Sequence, residues 1–179
     1  ATKFGFEIFD AMMTAVKGNL EADFHKVSRD KLKRSLLDAL DSRYSFELPE
    51  TLVDHEFQNI WGQHQAESQR AGQSVAEEGK TEDETKAEFR KIAERRVRLG
   101  LVLAEIGQNA GVKVEDKDLT DALIERARMF HGQEKAVWDY YRNNEQALAQ
   151  LRAPIYEERV VDHISPLIKI TVKTVTKDD

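Results

Sequence analysis

The chain has 179 residues, 34% charged and 40% hydrophobic, with 9 Gly, 3 Pro, no Cys and a net charge of −6. That length supports one sizeable domain or two small ones with a real core, and a composition rich in Ala, Leu, Glu, Lys and Arg is that of a soluble, mostly helical protein. The acidic balance argues against nucleic acid as the main partner, the missing cysteines exclude disulfides and thiolate metal sites, and no apolar run nears the roughly 20 residues that cross a membrane.

The start, "ATKFGFEIFD", lacks the basic residues and unbroken apolar core of a signal peptide. It also lacks an initiator Met, which points to a fragment or a processed product. From about Glu7 to Leu40 the apolar residues Phe9, Met13, Val16, Leu20, Phe24, Val27, Leu36 and Leu40 recur mostly at three or four positions. This spacing predicts one long helix, a rod of roughly 50 Å. "DSRYSFELP" breaks the pattern, and a second helix starts near Pro49, a residue suited to a first helical turn. Its stripe runs through Leu52, Val53, Glu56, Phe57, Ile60, Trp61 and His64. A polar stretch with two glycines then forms the exposed tip of a helical hairpin. Thr81 and Glu84 fit a capping box that opens the third helix.

That helix is amphipathic at first, then apolar nearly all round at "LGLVLAEIG", which predicts burial among several neighbours. Gly100 and Gly107 cost about 1 kcal/mol each in helix propensity, and close approach by another helix would explain both. Gly111 suits a left-handed terminator. A fourth helix is expected over about 118–130, a short aromatic one over "EKAVWDYYRNN", and a last one capped by Asn143 or Asn144 and reaching Ile164. Pro154 should kink or divide it and Pro166 should end it. "LIKITVKTV" alternates apolar with polar residues, as an extended segment does. The fold class is therefore all-α, built from long helical hairpins with a short extended C-terminal segment.

Catalytic constellations fail one by one. His55-Glu56 is the first half of a zinc-protease motif, but Asn59 stands where the second histidine belongs. His64 lies nine residues beyond His55, about 180° round the helix. No serine elbow and no Gly-rich phosphate loop is present. "RRVR" at 95–98 follows an acidic stretch, and intrahelical pairs such as Glu88–Lys91 and Glu94–Arg98 should partly neutralise it. No catalytic residue, metal ligand or cofactor site is expected. What remains is large apolar side chains: Phe57, Trp61, Phe130, Trp138, Tyr140 and Tyr141. They are either core or a groove for apolar segments of other proteins.

The run Ala93, Arg95, Arg96, Val97, Gly100, Leu101, Leu103, Glu105 resembles the corresponding helix of bacterial trigger factor. So do "FELPETLVDHEF" and "VWDYYRNNEQALAQLRAPIYEERVVDHI". The likeness covers essentially the whole chain, and to the C-terminal domain alone. The family's ribosome-binding and prolyl isomerase domains match nothing here, so neither ribosome anchoring nor isomerase activity is carried over. The resemblance implies a body with protruding arms and an ATP-independent, bacterial cytoplasmic chaperone that cradles unfolded or nascent polypeptides. It further implies no direct nucleic-acid or membrane partner, and homodimerisation is known in the full-length family. By position, Phe130, Val137, Tyr140 and Tyr141 fall where the family places client-contacting residues, and Phe57, Ile60, Trp61 and Leu151 are secondary candidates. Arg126 departs from an apolar position found in some relatives, which implies a locally more polar surface. A periplasmic chaperone of the SurA type and a purely structural helical scaffold are the alternatives.

Overall fold

A computed structural model describes residues 9–76 and 79–171. Six α-helices carry the described chain: α1 Phe9–Arg43, α2 Glu50–Ala71, α3 Glu82–Asn109, α4 Asp116–Arg128, α5 Glu134–Arg142 and α6 Glu145–Ile164, with a 3-10 turn over Ser165–Leu167. No strand occurs among the described residues, and the second part of "LIKITVKTV", residues 172–175, lies outside them. The chain divides into two compact units, residues 1–99 and 100–179, with the boundary inside α3.

The first unit is built on the α2–α3 hairpin. Val53, Ile60 and Ala93 form its buried centre, with Leu48, Phe57, Phe89 and Val97 packed against them. Trp61 is 5% exposed and lies edge-on to Phe89 at 5.5 Å, while Phe57 stacks on it at 6.2 Å. Lys86 Nζ sits 5.5 Å from the indole centre, capping the ring with a cation. His64 closes the cluster 4.6 Å from Phe89 and reaches the Val75 carbonyl at 2.8 Å, which ties the hairpin tip to α2.

Local signals set the helix ends. Pro49 is the N-cap of α2, one position earlier than a first-turn proline, with extended backbone at φ −60° and ψ 115°. Gly72 ends α2 at φ 64°, a conformation that costs other residues about 1 kcal/mol or more. The Thr81–Glu84 capping box forms in both directions: Thr81 N–H donates to Glu84 at 2.8 Å, and Glu84 N–H donates to Thr81 Oγ1 at 3.2 Å. These backbone and hydroxyl donors hold the Glu84 carboxyl below its ordinary range.

The arginines of "RRVR" bridge helices instead of pairing within α3. Arg95 pairs with Asp38 and Arg98 with Asp41 at 2.6 Å, both on α1, while Arg96 reaches Glu56 on α2 at 2.9 Å. Arg90 adds Asp54 at 2.7 Å. Glu88 is taken by Lys80 at 2.6 Å. The expected Glu94–Arg98 pair gives way because Asp41 on α1 takes that guanidinium, and Glu88 pairs with Lys80 in place of Lys91. Such exposed bridges are worth about 0.2–1 kcal/mol each, so they set helix alignment more than stability.

α1 is the long rod its spacing predicts, but its stripe is not core. Only Leu36 is buried on α1; Phe9, Met13, Val16, Leu20, Phe24 and Val27 are exposed.

In the second unit the buried apolar residues are Leu119, Leu123 and Ala127 of α4, Ala147, Val160, Val161 and Ile164 of α6, and Val102 and Leu103 of α3. The "LGLVLAEIG" run is buried on one side only, since Gly100, Ala104 and Glu105 face solvent. Gly107 takes the close helix approach expected of it: a Cβ there would meet Tyr156 Oη at 2.1 Å and Val160 Cγ2 at 2.7 Å. Gly100 does not, having nothing within 4 Å. Gly111 ends α3 at φ 67°. Asn144 caps α6 by accepting the Ala147 N–H at 2.9 Å. The helix runs unbroken through Pro154, because losing one backbone bond and fitting the ring costs about 3 kcal/mol while the flanking turns remain anchored by buried Ala147 and Val160.

Asp118 joins α4 to α6. It accepts the Glu115 N–H at 3.1 Å and pairs with Arg159. The Arg159 bond first, and the Glu115 N–H second, hold its carboxyl below the ordinary value of 3.8. A depressed carboxylate stabilises the fold above its unfolded pKa, and that contribution is lost as pH falls through the folded value. Melting temperature should therefore drop as pH falls below about 4. Asp118→Asn should start lower at neutral pH and lose less on acidification; parallel acid limbs for the two proteins would refute this.

Candidate functional site

The incomplete zinc motif is structural. Asn59, in the missing ligand's place, lies 3.3 Å from His55 Nδ1, and Glu56 is held by Arg96. Among the described residues no cluster of three or more His, Asp or Glu could hold a metal ion.

In the second unit the exposed aromatic side chains, Phe130, Trp138 and Tyr140, lie at the α4–α5 turn and on α5. α4 ends at Arg128, and its buried Leu119, Leu123 and Ala127 anchor one face. Beyond that face the chain cannot continue inward, so Met129 and Phe130 project at 70% and 45% exposure. Gly132, at φ 80°, turns the chain, and its N–H donates to Glu134 Oε1 at 3.0 Å. The N–H groups of Glu134 itself and of Gly132 hold that carboxyl low, as suits the first turn of a helix.

α5 is nine residues long and contains no buried residue. Val137 and Tyr141, four apart on one face, are half-buried; Trp138 and Tyr140 are exposed, Tyr140 by 57%. The Tyr140 and Tyr141 rings meet edge-on at 5.3 Å, which props each in place. Arg126 places its guanidinium 5.8 Å from the Phe130 ring. The charged residues Arg126, Arg128, Lys135 and Asp139 of the same stretch are also exposed.

The primary candidates Phe130, Val137, Tyr140 and Tyr141 come together in one stretch of this unit. The secondary ones do not join them. Ile60 and Trp61 are 8% and 5% exposed and belong to the first unit's core, and Phe57 packs against that core. The α2–α3 packing covers Ile60 and Trp61, while Phe57 stays half-buried at its edge. Leu151, on α6, is half-buried. Sequence reasoning names Trp138 only among the large apolar side chains that are core or groove and does not single out Met129, although both are exposed in the same stretch. The signal was an aromatic and a Met flanking residues already chosen.

A family model described as bacterial trigger factor protein C-terminus matches residues 9–165. The chain belongs to the trigger factor family. It is 55% identical over its whole length to the trigger factor of Methylocella silvestris, covering 39% of that protein. It is 51% identical to the trigger factor of Sinorhizobium fredii, again over its whole length, covering 36%. With the Bartonella henselae trigger factor it shares 46% identity, covering 38%. The chain thus spans under two-fifths of these trigger factors, and the part matched is the family's C-terminus, not its isomerase domain. No solved structure matches it.

Proposed function

We propose that this chain is the client-binding part of an ATP-independent chaperone, and that the α4–α5 surface takes apolar segments of unfolded or nascent polypeptides. The observation that carries this reading is α5 itself, a helix with no buried residue that nevertheless carries Val137, Trp138, Tyr140 and Tyr141. A purely structural scaffold would bury such side chains, since each contributes about 1.5–3 kcal/mol on full burial. Leaving them in water is a standing cost that binding recovers. A flexible Met129 beside rigid tyrosines suits varied partners. Without a preformed deep pocket, affinity should be in the micromolar range, about −8 kcal/mol, weak enough for the client to leave and fold.

On this reading Phe130, Val137, Tyr140 and Tyr141 make the main contacts, with Met129, Trp138 and Leu151 at the margin. Ribosome contact and isomerase activity reside in parts of the polypeptide beyond this chain, and the setting is the bacterial cytoplasm. Trigger factor membership favours this over the periplasmic SurA-type alternative. Tyr140→Ser with Tyr141→Ser should weaken binding of a denatured client about tenfold, on the order of 1.4 kcal/mol, and impair suppression of its aggregation. Helicity should hold, because neither side chain is in the core. A large loss of helicity, or unchanged aggregation suppression, would sink the assignment.

A further inference from the structure

We infer that Met129 is a site of reversible oxidation at which peroxide-class oxidants weaken client binding by the α4–α5 surface. This deepens the proposed client binding and rests on it. The chain has no cysteine and three methionines, Met12, Met13 and Met129. Peroxides therefore find no thiolate, the group they attack most readily, and thioethers are the sulfur that remains. Met12 and Met13 lie on α1 in the first unit. Met129 carries the sole sulfur of residues 100–179, and it stands next to Phe130 in the stretch assigned to clients.

Its position joins access to consequence. Met129 is 70% exposed, against 49% for Met13, while Met12 is half-buried. Its backbone is fixed as the C-cap of α4: its N–H donates to the Arg126 carbonyl at 3.2 Å, and the Phe130 N–H donates to the Ala127 carbonyl at 2.9 Å. Those bonds, with buried Leu123 and Ala127, hold the helix end, and none of them involves the thioether. Oxidation therefore leaves the fold intact and acts on the surface alone. In the reaction the sulfur lone pair takes one oxygen of hydrogen peroxide, and the O–O bond breaks. The proton of the transferred hydroxyl passes to the departing hydroxide, which leaves as water. Sulfur loses two electrons and the peroxide gains them. The product sulfoxide is a strong hydrogen-bond acceptor that water solvates well. Covering it with an apolar client segment carries a desolvation cost that the thioether does not. Reduction by a thiol-dependent sulfoxide reductase restores the thioether.

The test uses the full 179-residue chain and a short fluorescent peptide rich in leucine and phenylalanine and free of sulfur, so that the oxidant alters the chain alone. Dilute hydrogen peroxide is added and then removed, and peptide mapping by mass spectrometry follows each methionine. Met129 should convert before Met12 and Met13, and its full conversion should weaken peptide binding about threefold with helicity unchanged. Sulfoxide reductases for both sulfoxide epimers should restore the affinity. Met129→Leu should bind like the untreated chain and keep its affinity after peroxide. Met129→Gln, which places a polar group of similar size there, should bind like the oxidised chain without any oxidant. Affinity unchanged by complete Met129 oxidation overturns the proposal and leaves client binding standing. An equal loss in peroxide-treated Met129→Leu assigns the effect to other residues and refutes the Met129 reading, as does earlier conversion of Met13 or a fall in helicity on oxidation. Should the untreated chain fail to bind the peptide, client binding and the proposal both fall.

Discussion

Trp61→Ala should cost about 3–5 kcal/mol, a large share of the roughly 5–15 kcal/mol that holds a domain folded. The indole is 5% exposed and is touched by Phe57, His64, Phe89 and the Lys86 ammonium. Truncation removes the transfer free energy of a large ring and leaves a cavity between α2 and α3. Collapse of that cavity is limited, because α3 is also held by Arg90 to Asp54 and Arg96 to Glu56. The experiment has an internal control, since the chain has two tryptophans and the variant retains only Trp138, in the second unit. Urea unfolding followed by circular dichroism should show an early transition. Trp138 emission, which reports the second unit, should move later. A loss under about 1 kcal/mol would mean that Trp61 is solvent-facing and belongs back among client-contact candidates.

Gly107→Ala should be destabilising by about 1–3 kcal/mol, against the gain of roughly 1 kcal/mol that glycine-to-alanine brings in an open helix. The added Cβ would sit 2.1 Å from Tyr156 Oη, 2.7 Å from its Cζ and 2.7 Å from Val160 Cγ2. Val160 is fully buried and cannot retreat, so α3 and α6 must separate. Gly100→Ala, in the same helix with nothing within 4 Å, should instead stabilise by about 0.5–1 kcal/mol. Adding Tyr156→Ala to Gly107→Ala should be less than additive, because it removes two of the three clashes. Thermal melts of the unaltered chain, the three single variants and the double variant decide the matter. Equal effects at the two glycines would mean that α6 does not press on Gly107.

Much of the architecture was legible because it depends on neighbours in sequence. The Thr81–Glu84 box, the Asn144 cap and the turn at Gly111 are each decided within one helical turn, where side-chain chemistry and backbone geometry meet directly. Element order followed for the same reason. The candidate site was half legible. Phe130, Val137, Tyr140 and Tyr141 came from family resemblance, while periodicity alone could not separate them from Trp61 or Ile60, which have the same size and spacing.

What the amino-acid sequence determined by itself was helical class, the punctuation of the helices, and the failure of the zinc motif at Asn59. What only tertiary structure decided was which apolar stripe is covered. The stripe of α2 is buried by α3, and that of α1 from Phe9 to Val27 is exposed among the described residues. It also decided where the arginines of α3 go, to Asp38, Asp41 and Glu56 on other helices, and which glycine is a contact. The physical reason is common to all three. Helix periodicity says that a face is apolar or charged, but burial and pairing depend on a partner distant in sequence, and the same pattern fits core and binding surface equally.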